Sequence, residues 1–341
     1  MTGVWELGGA SAAVATVSGL LTALLRRYAL ARSLIDVPNA RSSHTVPTPR
    51  GGGVAIVVTM LLALPLLLGA GVFALPFLWA LLGAGGLVAV VGFLDDHGHV
   101  AARWRLLAHF AAAAWALGWL GGSPPAAWLG EPLDLGWVGG VLAVLYLVWM
   151  LNLYNFMDGI DGIAGIEAIS VCGGGALIYI LAGQPVLSVV PLLLAASALG
   201  FLCWNFPPAK IFMGDAGSGF LGITLGILSL QAGWVAPELF WAWLILLGAF
   251  VVDATWTLLR RLLRGEKAYE AHRSHAYQHA ARRFGGHLPV TLGVAAINLL
   301  WLLPIAVCVG SGSLNGLTGV AIAYAPLIIL AMKFRAGERE R

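Results

Sequence analysis

Apolar stretches of about 20 residues follow one another along nearly the whole chain, and a helix needs about that length to cross a bilayer. Of the 341 residues, 60% are hydrophobic and only 10% are charged. A soluble globular domain carries about 25% charged residues. The sequence therefore predicts an all-α, polytopic integral membrane protein.

Hydropathy predicts about 11 transmembrane helices in this chain. They cover residues 4–25, 51–71, 76–94, 104–122, 137–153, 164–182, 187–203, 219–232, 239–259, 290–309 and 317–333. The segments at 137–153 and 219–232 are short, so we expect them to be tilted or broken.

The basic residues divide the loops into two groups. If successive loops alternate between the two membrane faces, the loops of one face contain no Lys or Arg, and the other face has all 19. The positive-inside rule makes the basic face cytoplasmic, with the N-terminus outside and the C-terminus in the cytoplasm. No loop fits a separate soluble domain, so residues 1–341 are expected to form one transmembrane domain.

The unusual polar motifs all lie on the basic face, in loops 26–50, 95–105, 152–163, 204–218 and 260–289. In segment 155–162, Asn-Phe-Met-Asp-Gly-Ile-Asp-Gly, two carboxylates directly follow an apolar run. Charge at the edge of the hydrocarbon region is costly and is commonly functional. The two Asp-Gly steps also give a backbone that a polar ligand can approach closely.

Five aspartates of these loops would repel one another if they met at one site. They are Asp95, Asp96, Asp158, Asp161 and Asp215. A hard cation bound through oxygen removes that repulsion, and Mg²⁺ combines one or two carboxylates with substrate phosphates. The Gly-rich turn 214–219 exposes backbone N–H groups to anions. The pattern predicts a phosphoryl-transfer site at the membrane surface.

Each motif also has a purely structural explanation. Adjacent acids such as Asp95 and Asp96 occur as surface charge at helix ends, and Asp158 and Asp161 could simply form a turn. Loop 260–289 could be a solvated basic loop or a lipid headgroup patch. These explanations would all have to hold together, and they leave five acids on one face without a purpose.

The motifs together resemble the polyprenyl-phosphate N-acetylhexosamine-1-phosphate transferases of glycosyltransferase family 4. The resemblance covers nearly the whole chain, in order and in topology. The matching elements are Asp95-Asp96, Asn155-x-x-Asp158-Gly159-x-Asp161-Gly162, Asn205 ten residues before Asp215, Phe212-Met213-Gly214-Asp215-x-Gly217-Ser218, and the His-rich loop with His272, Arg273, Ser274 and His275.

The resemblance implies a catalytic domain that transfers a sugar-1-phosphate from a UDP-N-acetylhexosamine to undecaprenyl phosphate and releases UMP. It implies that Mg²⁺, or Mn²⁺ in its place, is bound by Asp215. Asp95 and Asp96 are expected beside the lipid phosphate, one of them as base or nucleophile. The resemblance implies that four residues position the nucleotide and the metal: Asp158, Asp161, Asn155 and Asn205. It implies that four others contact the sugar or phosphate: His272, Arg273, His275 and Lys210.

Two departures separate this chain from the phospho-N-acetylmuramoyl-pentapeptide transferases of the same family. Their Lys after the second Asp is replaced by His99, so Arg103 or Arg105 is expected to contact the lipid phosphate. Their three consecutive histidines are replaced by the segment His-Arg-Ser-His at 272–275. The resemblance is greater to enzymes that begin O-antigen, teichoic acid or common-antigen chains at the bacterial plasma membrane.

The lipid phosphate is largely a dianion at neutral pH, so direct in-line attack is favoured over a covalent aspartyl intermediate. Besides the pentapeptide reaction, the alternative function is a secondary transporter. A transporter is disfavoured because its polar site would lie near the bilayer midplane. The expected partners are the lipid bilayer and the two substrates, with no nucleic acid, and a homodimer is compatible with this interpretation.

Overall fold

The computed structural model describes residues 4–38, 44, 46–98, 100–128, 131–267 and 272–338. Over these residues the fold is almost entirely helical, which confirms the all-α prediction. In chain order the helices are α1 (Val4–Ala31), α2 (Val54–Gly69), α3 (Leu75–His97), α4 (Ala102–Leu120), α5 (Gly136–Met157), α6 (Ile163–Leu181), α7 (Val189–Asn205), α8 (Asp215–Val235), α9 (Pro237–Leu246), α10 (Gly248–Leu263), α11 (Ala276–Arg283), α12 (Leu288–Ile297), α13 (Leu303–Gly310) and α14 (Gly316–Lys333). A 3₁₀ turn at Pro185–Ser188 precedes α7, and a π-helical turn at Asn298–Leu302 joins α12 to α13.

Each of the eleven predicted segments contains helix, but the count of eleven spans is not confirmed. Within the described ranges, eight helical segments are long and apolar enough to cross a membrane. A ninth is obtained if α9 and α10, which meet at a 71° bend, form one broken span. Helix α2 is apolar, but with 16 residues it is too short to count as a membrane span. Helix α4 has 19 residues, but its mean hydropathy is too low for a membrane span.

Helix α8 lies at the centre of the bundle and packs against α3 and α5. Within its span 83% of the residues are buried, compared with 11% for α1. Glycines on α8 allow this close packing, because a Cβ atom at Gly222 would lie 2.7 Å from the carbonyl oxygen of Met150. Small residues at helix contacts are typical of membrane bundles, where backbones approach each other closely. The chain therefore builds its core around the helix that begins at Asp215.

Two small antiparallel hairpins connect the helices. Strand β1 (Ile35–Asp36) pairs with β2 (Thr48–Pro49), and β3 (Ala126–Trp128) pairs with β4 (Glu131–Leu133). The segment after β2 also joins the loop before α8, because Gly53 N–H donates to the carbonyl of Met213 at 2.8 Å. This pairing fixes the first polar loop beside the N-terminus of α8.

Candidate active site

A cavity of about 290 Å³ opens where the C-terminal ends of α3, α5 and α7 meet the N-terminal ends of α6 and α8. We call it the acid cavity because five carboxylates line it. Its lining includes Asp36, Asp96, Asp158, Asp161 and Asp215, together with Arg50, Asn155 and Asn205. The structure thus brings together six of the thirteen residues that the sequence predicted for the site.

Asp96 is held against the first turn of α8. Its two carboxylate oxygens accept hydrogen bonds from Asp215 N–H at 3.2 Å and Ala216 N–H at 3.4 Å. The first N–H groups of a helix have no partner within the helix, and its N-terminus favours negative charge. Gly214 precedes this turn with φ +79°, and a Cβ there would lie 2.6 Å from Asp96 Oδ2. Asp96 is therefore a cap that positions Asp215.

Asp95 does not line the acid cavity and is bound by Arg105. One oxygen of Asp95 accepts the Val100 N–H at 2.8 Å, and the other pairs with Arg105 Nη1. The same Nη1 lies 3.1 Å from Asp215 Oδ2. Arg105 thus links two of the predicted acids, next to the acid cavity. His99, the position of the family's Lys, lies outside the described residues.

Asp161 joins three segments of the chain. Its Oδ2 accepts the Ala209 N–H at 2.9 Å, and its Oδ1 lies 3.1 Å from His287 Nδ1. Its backbone carbonyl accepts a hydrogen bond from Thr291 Oγ1 at 2.7 Å. The carboxylate of Asp161 therefore holds the loop before α8 and the start of α12 against the α5–α6 turn.

The two predicted asparagines are also bound to protein groups. The buried Asn205 accepts the Gly162 N–H at 2.9 Å and donates to the carbonyl of Ile211 at 2.9 Å. Asn155 donates to Ser218 Oγ at 3.1 Å. Asn205 therefore braces the two loops that enclose the acid cavity, and Asn155 connects α5 to the first turn of α8.

The carboxylate of Asp158 has no hydrogen-bond or ion-pair partner within the part of the chain that the structure describes, whereas its backbone N–H donates to the carbonyl of Asn155 at 3.3 Å. Burial raises its pKa well above the usual range, and the negative charges of Asp215, Asp96 and Asp161 raise it further. Asp158 thus lies in a strongly negative environment that a bound cation would relieve.

The donor set fits a cation that keeps other ligands. Within the described ranges, no three His, Cys, Asp or Glu side chains converge closely enough for an all-protein metal site. Mg²⁺ typically takes one or two carboxylates and completes its shell with water and phosphate oxygens. Asp215 and Asp158 line the same cavity and can supply those carboxylates.

The predicted His-rich loop lies away from the acid cavity. His275 is 3% exposed, and its Nδ1 lies 3.4 Å from Asp253 Oδ1. The ring of His272 stacks on His275 with centroids 4.9 Å apart. Burial, followed by the charges of His275 and Arg261, lowers the pKa of His272 to about 3. His272, Arg273 and His275 line neither the acid cavity nor its neighbour, so their substrate-binding role stays a prediction.

The helix that follows this loop does reach the site. Asp253 accepts the N–H groups of Ala276 at 2.9 Å and Tyr277 at 3.0 Å, which anchors the N-terminus of α11. Tyr277 then donates its hydroxyl to the carbonyl of Phe156 at 2.9 Å. The next residue, Gln278, lines the acid cavity.

Two further predicted basic residues lie at the periphery. The Nζ of Lys210 lies 5.6 Å from the ring centroid of Trp204, and the guanidinium of Arg103 lies 5.7 Å from that of Trp104. Both side chains are exposed, and neither lines the acid cavity.

A second cavity, of about 680 Å³, adjoins the acid cavity. We call it the outer cavity. Its polar lining includes His44, Gln278, Arg282 and His287, of which none was assigned to the site from the sequence. One signal could have identified His287: like Asp95 and Asp96, it lies directly at the edge of an apolar segment.

Comparisons with known proteins find a matching family and several similar enzymes. Residues 78–233 match the profile of the family described as glycosyl transferase family 4. A protein of Bacillus subtilis (strain 168), named a probable undecaprenyl-phosphate N-acetylglucosaminyl 1-phosphate transferase, is 32% identical over 270 residues, or 78% of this chain and 74% of that protein. A decaprenyl-phosphate N-acetylglucosaminephosphotransferase of Mycolicibacterium smegmatis is 30% identical in an alignment that covers 97% of this chain and 90% of the relative. A phospho-N-acetylmuramoyl-pentapeptide-transferase of Synechococcus elongatus is 28% identical and covers 74% of this chain and 71% of that protein.

Proposed function

Because this chain belongs to glycosyl transferase family 4, we propose that it transfers an N-acetylhexosamine-1-phosphate from a UDP-sugar to undecaprenyl phosphate. The products are undecaprenyl-diphospho-sugar and UMP. This would be the first committed step in building a cell-surface polysaccharide. The names of the Bacillus subtilis and Mycolicibacterium smegmatis relatives, which specify polyprenyl phosphates and N-acetylglucosamine, support this choice.

One observation carries the proposal: five aspartates line a single cavity, and four of them (Asp96, Asp158, Asp161 and Asp215) lie at or next to the ends of apolar helices. A lipid phosphate and a water-soluble nucleotide can meet only at such a boundary between membrane and water. Phosphoryl transfer needs positioning and charge neutralisation more than covalent chemistry from the protein. A compact cluster of acids with an adjacent arginine suits that requirement.

Different residues of the chain would supply the positioning and the charge neutralisation. Asp215, with Asp158 beside it, would hold Mg²⁺ or Mn²⁺, and the bound cation would neutralise charge on the pyrophosphate of the donor. Asp96 fixes the first turn of α8 and so holds Asp215 in place. Arg105, paired with Asp95 and Asp215, is a cation that can approach the lipid phosphate. Asp95 and Asp96 are both engaged by protein donors, which supports direct attack by the lipid phosphate dianion over an aspartyl intermediate.

We propose that the whole chain forms one catalytic domain in the bacterial plasma membrane, with the site facing the cytoplasm. The support is the segregation of all 19 basic residues to the loops of the predicted cytoplasmic face. A UDP-sugar is charged and does not cross the bilayer unaided, so it must reach the site from the aqueous side that the site faces.

The pentapeptide reaction and transport are less well supported. The pentapeptide transferase in the comparison is only 28% identical, and His99 replaces the basic residue of that branch. A secondary transporter would place its polar site near the bilayer midplane. Here the carboxylates that line the acid cavity lie at or beyond helix ends.

The decisive experiment uses purified protein with undecaprenyl phosphate, Mg²⁺ and a panel of UDP-N-acetylhexosamines. UMP release together with a lipid-linked diphospho-sugar is the expected result for at least one donor. The Asp215→Ala protein, prepared in parallel, controls for contaminating transferases. Absence of UMP from every donor would refute the proposed function, and solute flux through vesicles without a UDP-sugar would favour a transporter.

A further inference from the structure

The acid cavity and the outer cavity meet at a shared wall. Five residues line both cavities: His44, Asp161, Phe212, Gln278 and His287. Together the two spaces approach the upper end of the range for ligand pockets, about 300–1,000 Å³. A single extended ligand can therefore occupy both cavities and pass this wall.

The charge of the lining changes at the wall. The acid cavity has five carboxylates and one arginine. The outer cavity has one carboxylate, that of Asp161, and it adds Arg282 to the two shared histidines. An anionic donor with its pyrophosphate near the acids would thus extend towards cationic and neutral groups. Among the described residues, Nε2 of His44 is buried without a hydrogen-bond partner at this wall.

His287 contacts Asp161 at the wall between the two cavities. Its Nδ1 lies 3.1 Å from Asp161 Oδ1 and 3.3 Å from the backbone nitrogen of Asp161. The other oxygen of Asp161 holds the Ala209 N–H at 2.9 Å, in the loop that leads to Asp215. Rotation of the Asp161 carboxylate would therefore release that loop, and the His287 ring opposes the rotation.

We propose that His287 is a positioning residue for the UDP-sugar donor, which acts by fixing the Asp161 carboxylate at the wall between the two cavities. This inference rests on the proposed transfer reaction. It places a histidine that affects donor binding directly before α12, whereas the sequence predicted contacts with the sugar or phosphate for His272 and His275.

The test compares His287→Leu, His287→Gln and His287→Asn. When its proton is on Nδ1, the His287 ring donates to Asp161 Oδ1. The Asn amide nitrogen can occupy the place of this donor, whereas Leu has no donor and the Gln amide reaches the place of Nε2 instead. Losing a hydrogen bond to a charged group corresponds to a tenfold or larger change in an equilibrium constant. We expect the KM for the UDP-sugar to rise at least about tenfold in the Leu and Gln variants. Asn should restore it to within about threefold of wild type, and the KM for undecaprenyl phosphate should stay unchanged.

His97→Asn is the matched control, because His97 is an exposed histidine at the end of α3 that lines neither cavity. It should leave the donor KM unchanged. If the Leu variant does not fold, the comparison of Gln with Asn still tests whether donor binding needs a hydrogen-bond donor at the place of Nδ1. The inference is wrong if Gln and Asn behave alike, or if His97→Asn raises the donor KM as much as His287→Gln. Inactive wild-type protein would instead refute the proposed function.

Discussion

Replacement of Gly92 by Ala should lower the catalytic rate, although Gly92 does not line the acid cavity. Gly92 lies on α3, one turn before Asp96, where α3 crosses the start of α8. A Cβ atom at Gly92 would lie 2.5 Å from the backbone nitrogen of Ala216 and 2.6 Å from the backbone carbon of Asp215. Ordinary van der Waals contact of a Cβ begins at 3.4 Å. The two helices would have to separate by about 0.9 Å, because backbone atoms cannot turn away as a side chain can.

The expected loss follows from that displacement. Overpacking of this kind costs about 1–3 kcal/mol of stability. A misplacement of about 1 Å at a catalytic group can reduce the rate about a hundredfold. Since the displaced turn contains Asp215 and the two N–H groups held by Asp96, kcat should fall about a hundredfold. The measurement is UMP release at saturating substrates, with thermal unfolding in detergent to verify that the variant is folded.

Gly86→Ala is the matched control. Gly86 lies on the same helix, and a Cβ there would meet nothing within 4 Å. This variant should keep wild-type activity and unfold within a few degrees of wild type. Near-normal kcat in folded Gly92→Ala protein would refute the reasoning, because it would mean that the spacing of α3 and α8 does not position the catalytic groups.

Three other perturbations test separate parts of the site. Asp215→Ala should reduce UMP release to background and remove its dependence on Mg²⁺; near-normal metal-stimulated activity would show that the metal is held elsewhere. Because the pKa of Asp158 in the folded state is raised above 3.8, the unfolded state releases this proton first, and Asp158 lowers the stability progressively as the pH rises from 3.8 to the folded-state pKa. In metal-free protein, Asp158→Asn should therefore raise the melting temperature relative to wild type by more at pH 8 than at pH 5. The same increase in melting temperature at both pH values would contradict a raised pKa for Asp158. Asp253→Asn places an amide against the N–H groups of Ala276 and Tyr277, so it should cost about 1–3 kcal/mol of stability, measured by thermal unfolding; an unchanged melting temperature would exclude an anchoring role.

Hydropathy located the helices well but missed where they end. The third and fifth predicted spans end at residues 94 and 153, whereas α3 continues to His97 and α5 to Met157. Polar side chains lower the hydropathy of these last turns. The turns stay helical because Asp96 and Asn155 find partners on α8. Likewise α8 begins at Asp215, four residues before the apolar run that predicts it.

The sequence could identify the acids but not their partners. Asp95 and Asp96 are neighbours, so they leave the helix about 100° apart, and no local pattern says which one faces α8. The histidines show a similar limit. Those at 272 and 275 form the conspicuous motif, but the contact of His275 with Asp253 crosses from the loop to α10. His287 reaches Asp161 across 126 residues of chain. Such pairings depend on how the helices pack, which a single sequence does not encode locally.

The different partners of the acids distinguish Asp158 from Asp161, which look equivalent in the sequence. The two carboxylate oxygens of Asp161 contact Ala209 N–H and His287 Nδ1, so this carboxylate already has the contacts that a buried charge requires. Asp158 has no such contact among the described residues, and its neighbours are negative. A carboxylate kept in that environment is stabilised only when a cation or a hydrogen-bond donor arrives with the substrates. We therefore expect Asp158, together with Asp215, to meet the metal and the phosphates, and Asp161 to shape the wall beside which the donor lies.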